Sequence, residues 1–273
     1  MSICVIISTY DSPESLDKVL LAYSVQSKMP NEIIIAEDGQ NKAIADIALK
    51  WKSLMGIDIL HISQKDIGFR KNRILNKAIK LSTSKQLIFT DQDILPRLDF
   101  VENHMRLLKP GTFISGGSHL NINRSFHKTL DDLDIINQQI FSTVYLKYNQ
   151  QLNFSKLRLT INQYLAKFLD MITPRCAFVG CNSSVLRENL IKIGGFDESM
   201  KYGGEDLNLG IRLNNLGCQG KRYKYSLVCL HLDHSRSYTD EVTISQNESY
   251  NKKVKREKLI KPSASFLQEQ TKQ

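Results

Sequence analysis

Residues 3–13 read ICVIISTYDSP, an apolar and β-branched run that breaks off into a polar loop. The run predicts a buried strand over Ile3–Ser8, because branched aliphatic side chains pack well on a pleated surface. A helix is predicted next, since apolar residues recur at helical spacing from Leu16 to Val25 and Pro13 suits a first helical turn. The stretch therefore encodes one strand–loop–helix unit.

The same unit recurs along the residues that follow. Strands are predicted over Glu32–Ala36, Ile57–Ile62 and Gln86–Thr90, and helices over Lys42–Met55 and Arg70–Leu81. This alternation is typical of an α/β domain, in which helices cover both faces of a mostly parallel sheet. Ligands bind beyond the carboxyl ends of the strands in such sheets. Here those ends carry Thr9, Asp38 and the pair Asp91 and Asp93, so polar groups stand where the topology would bind a nucleotide.

The pattern changes in the middle of the chain. Long polar helices are predicted over Leu130–Tyr148 and Leu157–Leu169, which we interpret as a helical insertion at about residues 121–170. The apolar order then returns, with strands predicted over Cys176–Cys181 and Tyr225–Leu230 and helices over Val185–Ile193 and Asp206–Leu216. We expect one domain over residues 1–240 and a C-terminal helical tail over residues 241–273.

The charge of the chain is concentrated near its C-terminal end. The 273 residues carry a formal net charge of +9, which suits nucleic acid, an anionic membrane surface or a phosphorylated substrate. Basic residues crowd the tail at Lys252, Lys253, Lys255, Arg256, Lys258 and Lys261. A solvated helix is the plain interpretation, and contact with anionic lipid headgroups is the alternative. No aromatic residues interleave with these lysines as a stacking platform requires, so we expect no nucleic-acid partner.

Targeting and redox signals are weak in this sequence. No apolar run approaches the roughly 20 residues that cross a bilayer, and residues 1–9 favour a strand over a signal peptide. We therefore expect a cytoplasmic protein, with attachment at the inner face of the membrane if the tail binds lipid. The five cysteines are scattered, with no Cys-x-x-Cys pair, and favour reduced thiols over disulfides or a zinc site.

One candidate constellation for chemistry is Asp91-Gln92-Asp93, which follows a predicted strand. It places two carboxylates at the mouth of the sheet, where two hard oxygen ligands can approach one divalent cation. Such a cation can neutralise a departing diphosphate. Taken alone, an Asp-x-Asp sequence is also common in surface turns.

Two further constellations lie in the C-terminal half of the chain. Gly203-Gly204-Glu205-Asp206 stands at the start of a predicted amphipathic helix. Its glycines permit close approach of the backbone to a ligand, and its acidic pair can project into a cleft or merely cap the helix. His231 and His234 follow the last predicted strand. Imidazole can join carboxylates on manganese, although a loop histidine is often only solvated.

The order of these motifs resembles that of the family 2 glycosyltransferases of the GT-A fold, a Rossmann-like α/β architecture. The C-terminal half, from Gly194-Gly195-Phe196 to His234-Ser235-Arg236, further resembles the β-1,4-galactosyltransferase branch and the galactosyl- or N-acetylgalactosaminyltransferase domains of bacterial polysaccharide synthases. The motifs that carry the resemblance are Ile6-Ile7-Ser8-Thr9-Tyr10, Ala36-Glu37-Asp38-Gly39, Arg70–Ala78, Asp91-Gln92-Asp93, Gly194–Glu198 and Gly203-Gly204-Glu205-Asp206.

On the donor side, the resemblance implies a nucleotide-binding set of residues. Thr9 and Tyr10 would line the nucleotide pocket, Asp38 would accept a hydrogen bond from uracil, and Arg70 would contact the diphosphate. Gln92 belongs to the same donor-binding set.

The resemblance also implies a cofactor, Mn²⁺ or Mg²⁺, and a catalytic base. Asp93 would be the main metal ligand, with Asp91 nearer the ribose or a metal-bound water, and His231 and His234 as further ligands. The family pattern makes Asp206 the catalytic base and gives Glu205 a part in holding the acceptor. The galactosyltransferases have a methionine ligand where His231 stands, and a tryptophan ahead of the acidic pair where this chain has Lys201-Tyr202.

Together these roles imply an inverting transferase. It would move a sugar, with galactose or N-acetylgalactosamine favoured, from a UDP-sugar to a hydroxyl of a glycan or lipid-linked glycan acceptor in bacterial surface polysaccharide or lipooligosaccharide synthesis. The alternative is a non-catalytic nucleotide-sugar or carbohydrate-binding protein of the same fold, which predicts broken acidic positions, whereas the acidic motifs are intact here. A nucleotidyltransferase usually needs a glycine-rich phosphate loop, and Thr9–Glu14 contains no glycine.

Overall fold

The computed structural model describes residues 2–116, 120–123, 126, 129–174, 177–233 and 240–269. The strands are β1 Ile3–Thr9, β2 Glu32–Glu37, β3 Asp58–Ser63, β4 Gln86–Asp91, β5 Ile94–Pro96, β6 Thr112–Ser115, β7 Leu120–Ile122, β8 Ser183–Leu186, β9 Gln219–Arg222 and β10 Cys229–Leu232. The helices are α1 Pro13–Ser24, α2 Lys42–Met55, α3 Lys71–Leu81, α4 Phe100–Leu107, α5 Asp132–Ile136, α6 Thr143–Tyr148, α7 Gln163–Met171, α8 Arg187–Ile193, α9 Glu205–Asn215, α10 Glu241–Arg256 and α11 Phe266–Glu269. Two 3₁₀ segments span Gln139–Phe141 and Phe154–Thr160.

A seven-stranded sheet forms the centre of this structure, in the order β3-β2-β1-β4-β8-β6-β9. The strands β3, β2, β1 and β4 run parallel, whereas β8 is antiparallel to both of its neighbours, β4 and β6. The predicted α/β class, with a mostly parallel sheet flanked by helices, is confirmed.

Strand β1 is buried on both faces, and its alternate side chains pack into two different layers. Ile3, Val5 and Ile7 belong to the layer that contains α1 and α2, whereas Cys4 and Ile6 belong to the layer that contains α3 and α9. Burial of each isoleucine contributes about 1.5–3 kcal/mol. A slip of one residue would exchange the two faces, so the packing determines where β1 ends.

The register of the parallel strands aligns their carboxyl ends. Ser8 in β1 pairs with Ala36 in β2 and with Asp91 in β4, and Thr9 pairs with Glu37. The loops that follow β1, β2 and β4 therefore start at the same edge of the sheet. This is the edge at which the sequence places its polar motifs.

A smaller sheet, in the order β5-β10-β7, lies next to this edge. Strand β10 pairs antiparallel with β5, with His231 opposite Ile94. The amide of Leu232 also donates a hydrogen bond to the carbonyl of Asp93, at 2.8 Å. These pairings bring His231 beside Asp93, although 138 residues separate them in the sequence.

The prediction of a strand over Cys176–Cys181 is wrong. Cys176 lies outside the described residues, residues 177–182 form a loop and turn, and the strand β8 begins only at Ser183. The apolar character of the segment has another cause, because Phe178 packs its ring edge-on against Phe89, with 5.7 Å between centroids. An apolar run can thus anchor a loop to the core as well as form a strand.

The helical insertion is less regular than predicted. Instead of long helices over Leu130–Tyr148 and Leu157–Leu169, the chain forms α5, α6, α7 and the two 3₁₀ segments. Polar side chains cap new short helices along this segment. Asn153 accepts a hydrogen bond from the Lys156 amide, and Asn162 accepts from the Tyr164 and Leu165 amides. Such local bonds compete with a continuous helix.

The C-terminal tail contains a helix that packs on the domain. Asn247, Asn251 and Val254 of α10 are buried against α9, while the lysines of the tail are exposed on the opposite side. Asp240 caps this helix by accepting from the Val242 and Thr243 amides. Within the described parts of the chain, no helix is both long and apolar enough to cross a membrane.

Candidate active site

A cleft of about 800 Å³ opens at the carboxyl ends of β1, β2 and β4. Residues from most of the motifs line it, namely Thr9, Tyr10, Asp38, Asp91, Gln92, Asp93, Glu205, Asp206 and His231, whereas Gly194–Glu198 contributes none of the lining residues. Most of the residues that the sequence singled out are thus brought together in one place. His234 lies outside the described residues.

Asp91 and Asp93 lie at and just beyond the end of β4, in different environments. Oδ1 of Asp91 accepts a hydrogen bond from the Ser8 hydroxyl at 2.9 Å and lies 2.7 Å from Nζ of Lys71. Asp93 is 7% exposed, and its Oδ2 lies 3.6 Å from Nε2 of His231. Asp91 is therefore engaged by a cation of the protein itself, whereas Asp93 faces an imidazole.

The ring of His231 is oriented by a neighbouring amide. Its Nδ1 lies 3.2 Å from Oδ1 of Asn121 in β7, a contact that suits the tautomer with its proton on Nδ1. In that tautomer Nε2, the nitrogen near Asp93, keeps the lone pair that a metal ion requires. Among the described residues, no three His, Cys, Asp or Glu side chains converge closely enough to hold a metal. Asp93 and His231 provide two donors of the types that manganese accepts.

Glu205 and Asp206 begin α9, and both line the cleft. The amide of Gly180 donates to Oδ2 of Asp206 at 2.9 Å, and Oδ1 of Asp206 has no hydrogen-bond partner in the described part of the chain. Glu205 is buried and accepts from the Gly203 amide at 2.8 Å. The two carboxylates are thus held by backbone amides rather than by side chains.

Burial makes both carboxyl groups harder to ionise. It raises the pKa of Asp206, and the charge of Asp91 raises it further, whereas Lys71 and the Gly180 amide only partly oppose the shift. Burial, followed by the charge of Asp206, likewise raises the pKa of Glu205. A carboxylate with a raised pKa is a stronger base than an ordinary aspartate, which suits proton abstraction near neutral pH.

The backbone around this acidic pair requires glycine. Gly203 and Gly204 have φ of 102° and 91°, values that side chains rarely tolerate. At Gly180 the reason is steric, because an added Cβ would lie 2.4 Å from Oδ2 of Asp206. Three glycines therefore allow the carboxylates to reach the cleft.

Lys71 is the basic residue among the described residues that line the cleft, and the sequence motifs did not indicate a role for it. Burial opposes its charge, but the nearby carboxylates of Asp91, Asp206 and Glu205 outweigh this effect and raise the pKa of Lys71. A usable signal exists in the sequence. Lys71 and Ile74 are one helical turn apart and both line the cleft, so the apolar stripe of α3 marks the face that carries the lysine.

The side chain of Arg70 does not have the position that its predicted contact with the diphosphate requires. It is not among the residues that line the cleft, and its guanidinium donates to the carbonyl of Lys65. Its backbone amide instead donates to Oδ2 of Asp38 at 2.6 Å, and Gln64 donates to Oδ1 of the same carboxylate at 2.7 Å. Arg70 thus helps to hold Asp38, while the next residue, Lys71, supplies the positive charge.

The remaining donor-side residues also have defined positions. Thr9 is buried, and its hydroxyl has no hydrogen-bond partner within the described ranges. Tyr10 is exposed, and its hydroxyl donates to Asp66 at 3.1 Å. The side chain of Gln92 accepts from the amide of Tyr10 and donates to its carbonyl, at 3.0 and 2.7 Å. Gln92 therefore ties the loop after β1 to the end of β4.

Two aromatic residues pair beside the acidic residues, and the sequence did not indicate this pairing. The rings of Phe69 and Tyr202 meet edge to face, with 5.9 Å between centroids and an interplanar angle of 80°. Both residues line the cleft. Apolar ring faces of this kind suit contact with a sugar.

Comparison with known families gives two adjoining matches. The model of the family described as glycosyl transferase family 2 matches residues 4–169. A second model, described as the N-terminal domain of galactosyltransferase, matches residues 166–235. The first match covers β1 to β7 and most of the insertion, and the second covers α8, α9 and β10.

Curated relatives are about a quarter identical to this chain over the residues that align. Chondroitin synthase from Escherichia coli is 27% identical over 228 residues, which are 78% of this chain and 32% of that protein. Validoxylamine A glucosyltransferase from Streptomyces hygroscopicus subsp. limoneus is 25% identical over 222 residues, 78% of this chain and 48% of that protein. The chain therefore spans about a third to a half of the length of these relatives.

Solved structures show the same fold at low identity. A mannosyltransferase from Pyrobaculum calidifontis, in complex with GDP-Man and Mn²⁺, superposes with a TM-score of 0.57 at 16% identity, covering 94% of this chain and 71% of that one. S. aureus TarS 1–349, in complex with UDP-GlcNAc, superposes with a TM-score of 0.59 at 10% identity, covering 87% and 60%. These likenesses agree with the predicted GT-A architecture.

Proposed function

Because the chain belongs to the family 2 glycosyltransferases, we propose that it transfers a sugar from a UDP-sugar to a hydroxyl of a glycan acceptor, with inversion at the anomeric carbon. The observation that carries the proposal is that Asp93 and Asp206 line one cleft, one from the end of β4 and the other from the start of α9. Acidic groups for the proposed donor chemistry and acceptor chemistry thus line the same cleft.

Asp206 is the proposed base. Its Oδ2 is held by the Gly180 amide, and its Oδ1 is a buried atom without a hydrogen-bond partner among the described residues, so an acceptor hydroxyl would supply the missing partner. As the acceptor oxygen forms its bond to the anomeric carbon, the proton passes to Asp206. The bond from that carbon to the diphosphate breaks on the opposite face, and its electron pair leaves with UDP. Glu205, beside the base, is the proposed contact for the acceptor.

Lys71, rather than Arg70, is the proposed protein cation for the diphosphate. Its ammonium group lies in the cleft, 2.7 Å from Asp91, and its pKa is raised, so it stays charged at neutral pH. A fixed positive charge favours the transition state, in which negative charge builds on the leaving group. Thr9 and Asp38 are proposed to hold the nucleoside, because they line the cleft at the ends of β1 and β2.

Asp93 and His231 are the proposed metal ligands, with Asp91 nearer the ribose and His234 as a further candidate. The carboxylate and the imidazole nitrogen that face each other at 3.6 Å are donors that Mn²⁺ accepts, and the carboxylate also suits Mg²⁺. When bound, such a cation supplies additional charge neutralisation for the diphosphate.

The acceptor is proposed to be a glycan or a lipid-linked glycan of a bacterial surface polysaccharide or lipooligosaccharide. Relatives include proteins named chondroitin synthase and hyaluronan synthase, which supports a polysaccharide context. The match to a galactosyltransferase family model favours galactose or N-acetylgalactosamine as the transferred sugar. The Phe69–Tyr202 pair offers a ring face for the acceptor beside Glu205.

Peripheral attachment to the inner face of the cytoplasmic membrane is part of the same proposal. The lysines of α10 are exposed on the side away from α9, which leaves them available to anionic headgroups. Equal sedimentation of the protein with neutral and anionic vesicles would contradict this attachment.

The direct test is a donor screen. The protein is incubated with Mn²⁺ and each of a panel of UDP-sugars, with GDP-mannose as a control for the base, and released nucleotide is measured. We expect one UDP-sugar to be hydrolysed slowly without acceptor and no release from GDP-mannose. Binding of UDP without release from any donor, in the presence of candidate glycans, would favour a non-catalytic binding protein instead.

A further inference from the structure

The helix α10 contacts the loop that precedes the acidic pair through two asparagines. Nδ2 of Asn247 lies 3.1, 3.4 and 2.8 Å from the carbonyl oxygens of Lys201, Tyr202 and Gly203. Nδ2 of Asn251, one turn later, lies 2.9 Å from the carbonyl of Gly204. Four consecutive carbonyls, from residue 201 to residue 204, therefore accept hydrogen bonds from one helix face.

This polar contact is buried and continues into the domain. Asn247 and Asn251 are 7% and 4% exposed. Oδ1 of Asn251 accepts from Asn208 at 2.9 Å, and Oδ1 of Asn208 accepts from the buried guanidinium of Arg212 at 2.7 Å. Nη2 of Arg212 has no hydrogen-bond partner in the described part of the chain, but the loss of any bond in this network would leave a further buried polar atom unpaired, which opposes movement of α10 relative to the loop.

Packing reinforces the same contact. Ile244 of α10 lies so close to the loop that an added Cβ at Gly203 would come within 2.8 Å of it. Gly203 and Gly204 both have positive φ. Glycine adopts positive and negative φ about equally well, so the two residues do not fix this conformation by themselves. The loop therefore depends on outside contacts to stay in one conformation, and α10 supplies them.

We propose that Asn247 is a positioning residue for the transfer reaction, and that α10 is a structural part of the active site rather than an appendage. The inference rests on the proposed function. By holding the carbonyls of residues 201–203, Asn247 determines where α9 begins and hence where the Asp206 carboxylate stands. It also determines the position of Tyr202 at the cleft.

The rate of transfer depends on small displacements of Asp206. The N-cap residue of α9 is Gly204, which has no side chain to cap the helix, so the contacts of the preceding loop contribute to the placement of α9. An error near 1 Å at the reacting centre costs about a hundredfold in rate. The residues proposed to bind the donor lie on β1, β2, β4 and the start of α3, whereas Asn247 contacts the loop before α9, so UDP affinity is expected to change less than kcat.

The test compares Asn247→Ala with Asn215→Ala in the full chain. Asn215 is the matched control, because its amide also joins α9 to the C-terminal segment, through the carbonyls of Val254 and Leu259 at 3.2 and 2.8 Å, but it lies at the far end of α9. For each variant, kcat, donor KM, UDP affinity and melting temperature are measured, together with hydrogen–deuterium exchange in residues 201–206.

We expect kcat of Asn247→Ala to fall about 10- to 100-fold, with UDP affinity and donor KM within about twofold of wild type and faster exchange in residues 201–206. Asn215→Ala should keep kcat and the exchange rate of that loop. If Asn247→Ala does not fold, Asn251→Ala replaces it with the same expectation. A kcat within about twofold of wild type, or a parallel loss of UDP affinity, overturns the positioning role.

The exchange measurement separates this inference from the proposed function. A wild-type protein without transfer activity would contradict the proposed function, yet faster loop exchange in Asn247→Ala would still support the contact between α10 and the loop. Conversely, an active wild type with unchanged kcat and exchange in Asn247→Ala would overturn the inference alone.

Discussion

Nζ of Lys71 lies 2.7 Å from Oδ1 of Asp91, and this ion pair joins the start of α3 to the end of β4 inside the cleft. The pair is largely shielded from solvent, with 20% of the Lys71 side chain and 27% of the Asp91 side chain exposed. Asp206 and Glu205 also interact electrostatically with the same lysine. The charge of one lysine thus affects Asp91 of the proposed donor site together with both acidic residues of the proposed acceptor site.

Replacement of this lysine should impair donor binding more than replacement of its neighbour. Lys71→Gln is expected to weaken UDP affinity about 10- to 100-fold, because a hydrogen bond to a charged group contributes about 1.5–3 kcal/mol. Arg70→Gln is the matched control and should stay within about twofold, since its guanidinium bonds to Lys65 outside the cleft. Isothermal titration with UDP measures both, and a larger loss for Arg70→Gln would refute the assignment.

Replacement of the proposed base should lower kcat without weakening UDP binding. Asp206→Asn is expected to lower kcat by about 10²- to 10⁴-fold, because an amide cannot take the proton, while UDP affinity changes little. Glu205→Gln should instead raise the acceptor KM. The measurements are UDP release with acceptor and UDP titration. Near-normal turnover in Asp206→Asn would remove Asp206 from the base role.

The pH dependence of kcat should report the raised pKa of Asp206. The base acts only when it is deprotonated, so kcat should fall as pH drops through a pKa above the usual aspartate value of about 3.9. Lys71 lowers that pKa, so the acid limb of Lys71→Gln should lie at higher pH than in wild type. Profiles of kcat against pH at saturating donor, measured for wild type and for Lys71→Gln, give the acid limb of each protein. A shift of the limb to lower pH in the variant would contradict the electrostatics.

A single methyl group at Gly180 should displace the base. The methyl of Gly180→Ala would lie 2.4 Å from Oδ2 of Asp206, so the carboxylate must move. We expect a loss of about a hundredfold in kcat, as for an error near 1 Å, with UDP affinity retained. Gly111→Ala is the control for backbone strain, because φ there is 73° but nothing lies within 4 Å of the added methyl. Equal activity of the two variants would argue against steric placement of Asp206.

Removal of divalent metal should abolish transfer. Excess EDTA is expected to stop UDP release, and Asp93→Asn should weaken Mn²⁺ affinity by more than about tenfold in a titration monitored by electron paramagnetic resonance. Asp66→Asn is the control, since Asp66 also lines the cleft but bonds to the Tyr10 hydroxyl. Undiminished turnover in EDTA, or an equal loss of Mn²⁺ affinity in both variants, would count against the metal site.

The elements around the donor site could be predicted from the sequence because their signals are local. The ends of β1, β2, β3 and β4 agree with the predictions to within one residue. Apolar runs and helical periodicity depend on neighbours a few residues apart, and the carboxyl ends of parallel strands meet at one edge. The shared cleft of Asp38, Asp91, Asp93 and Asp206 follows from this topology together with the family resemblance.

Only the tertiary structure decided which side chains face the cleft and what holds them. Lys71 is the first residue of α3 and lines the cleft, whereas Arg70 is the non-helical residue before it and is not among the lining residues, a difference that helical periodicity does not predict. The contact of Asn247 with the loop at residue 203 spans 44 residues and leaves no periodic trace in either segment. Local sequence determines which elements form, whereas orientation and polar pairing depend on contacts between elements far apart in the chain, which periodicity does not encode.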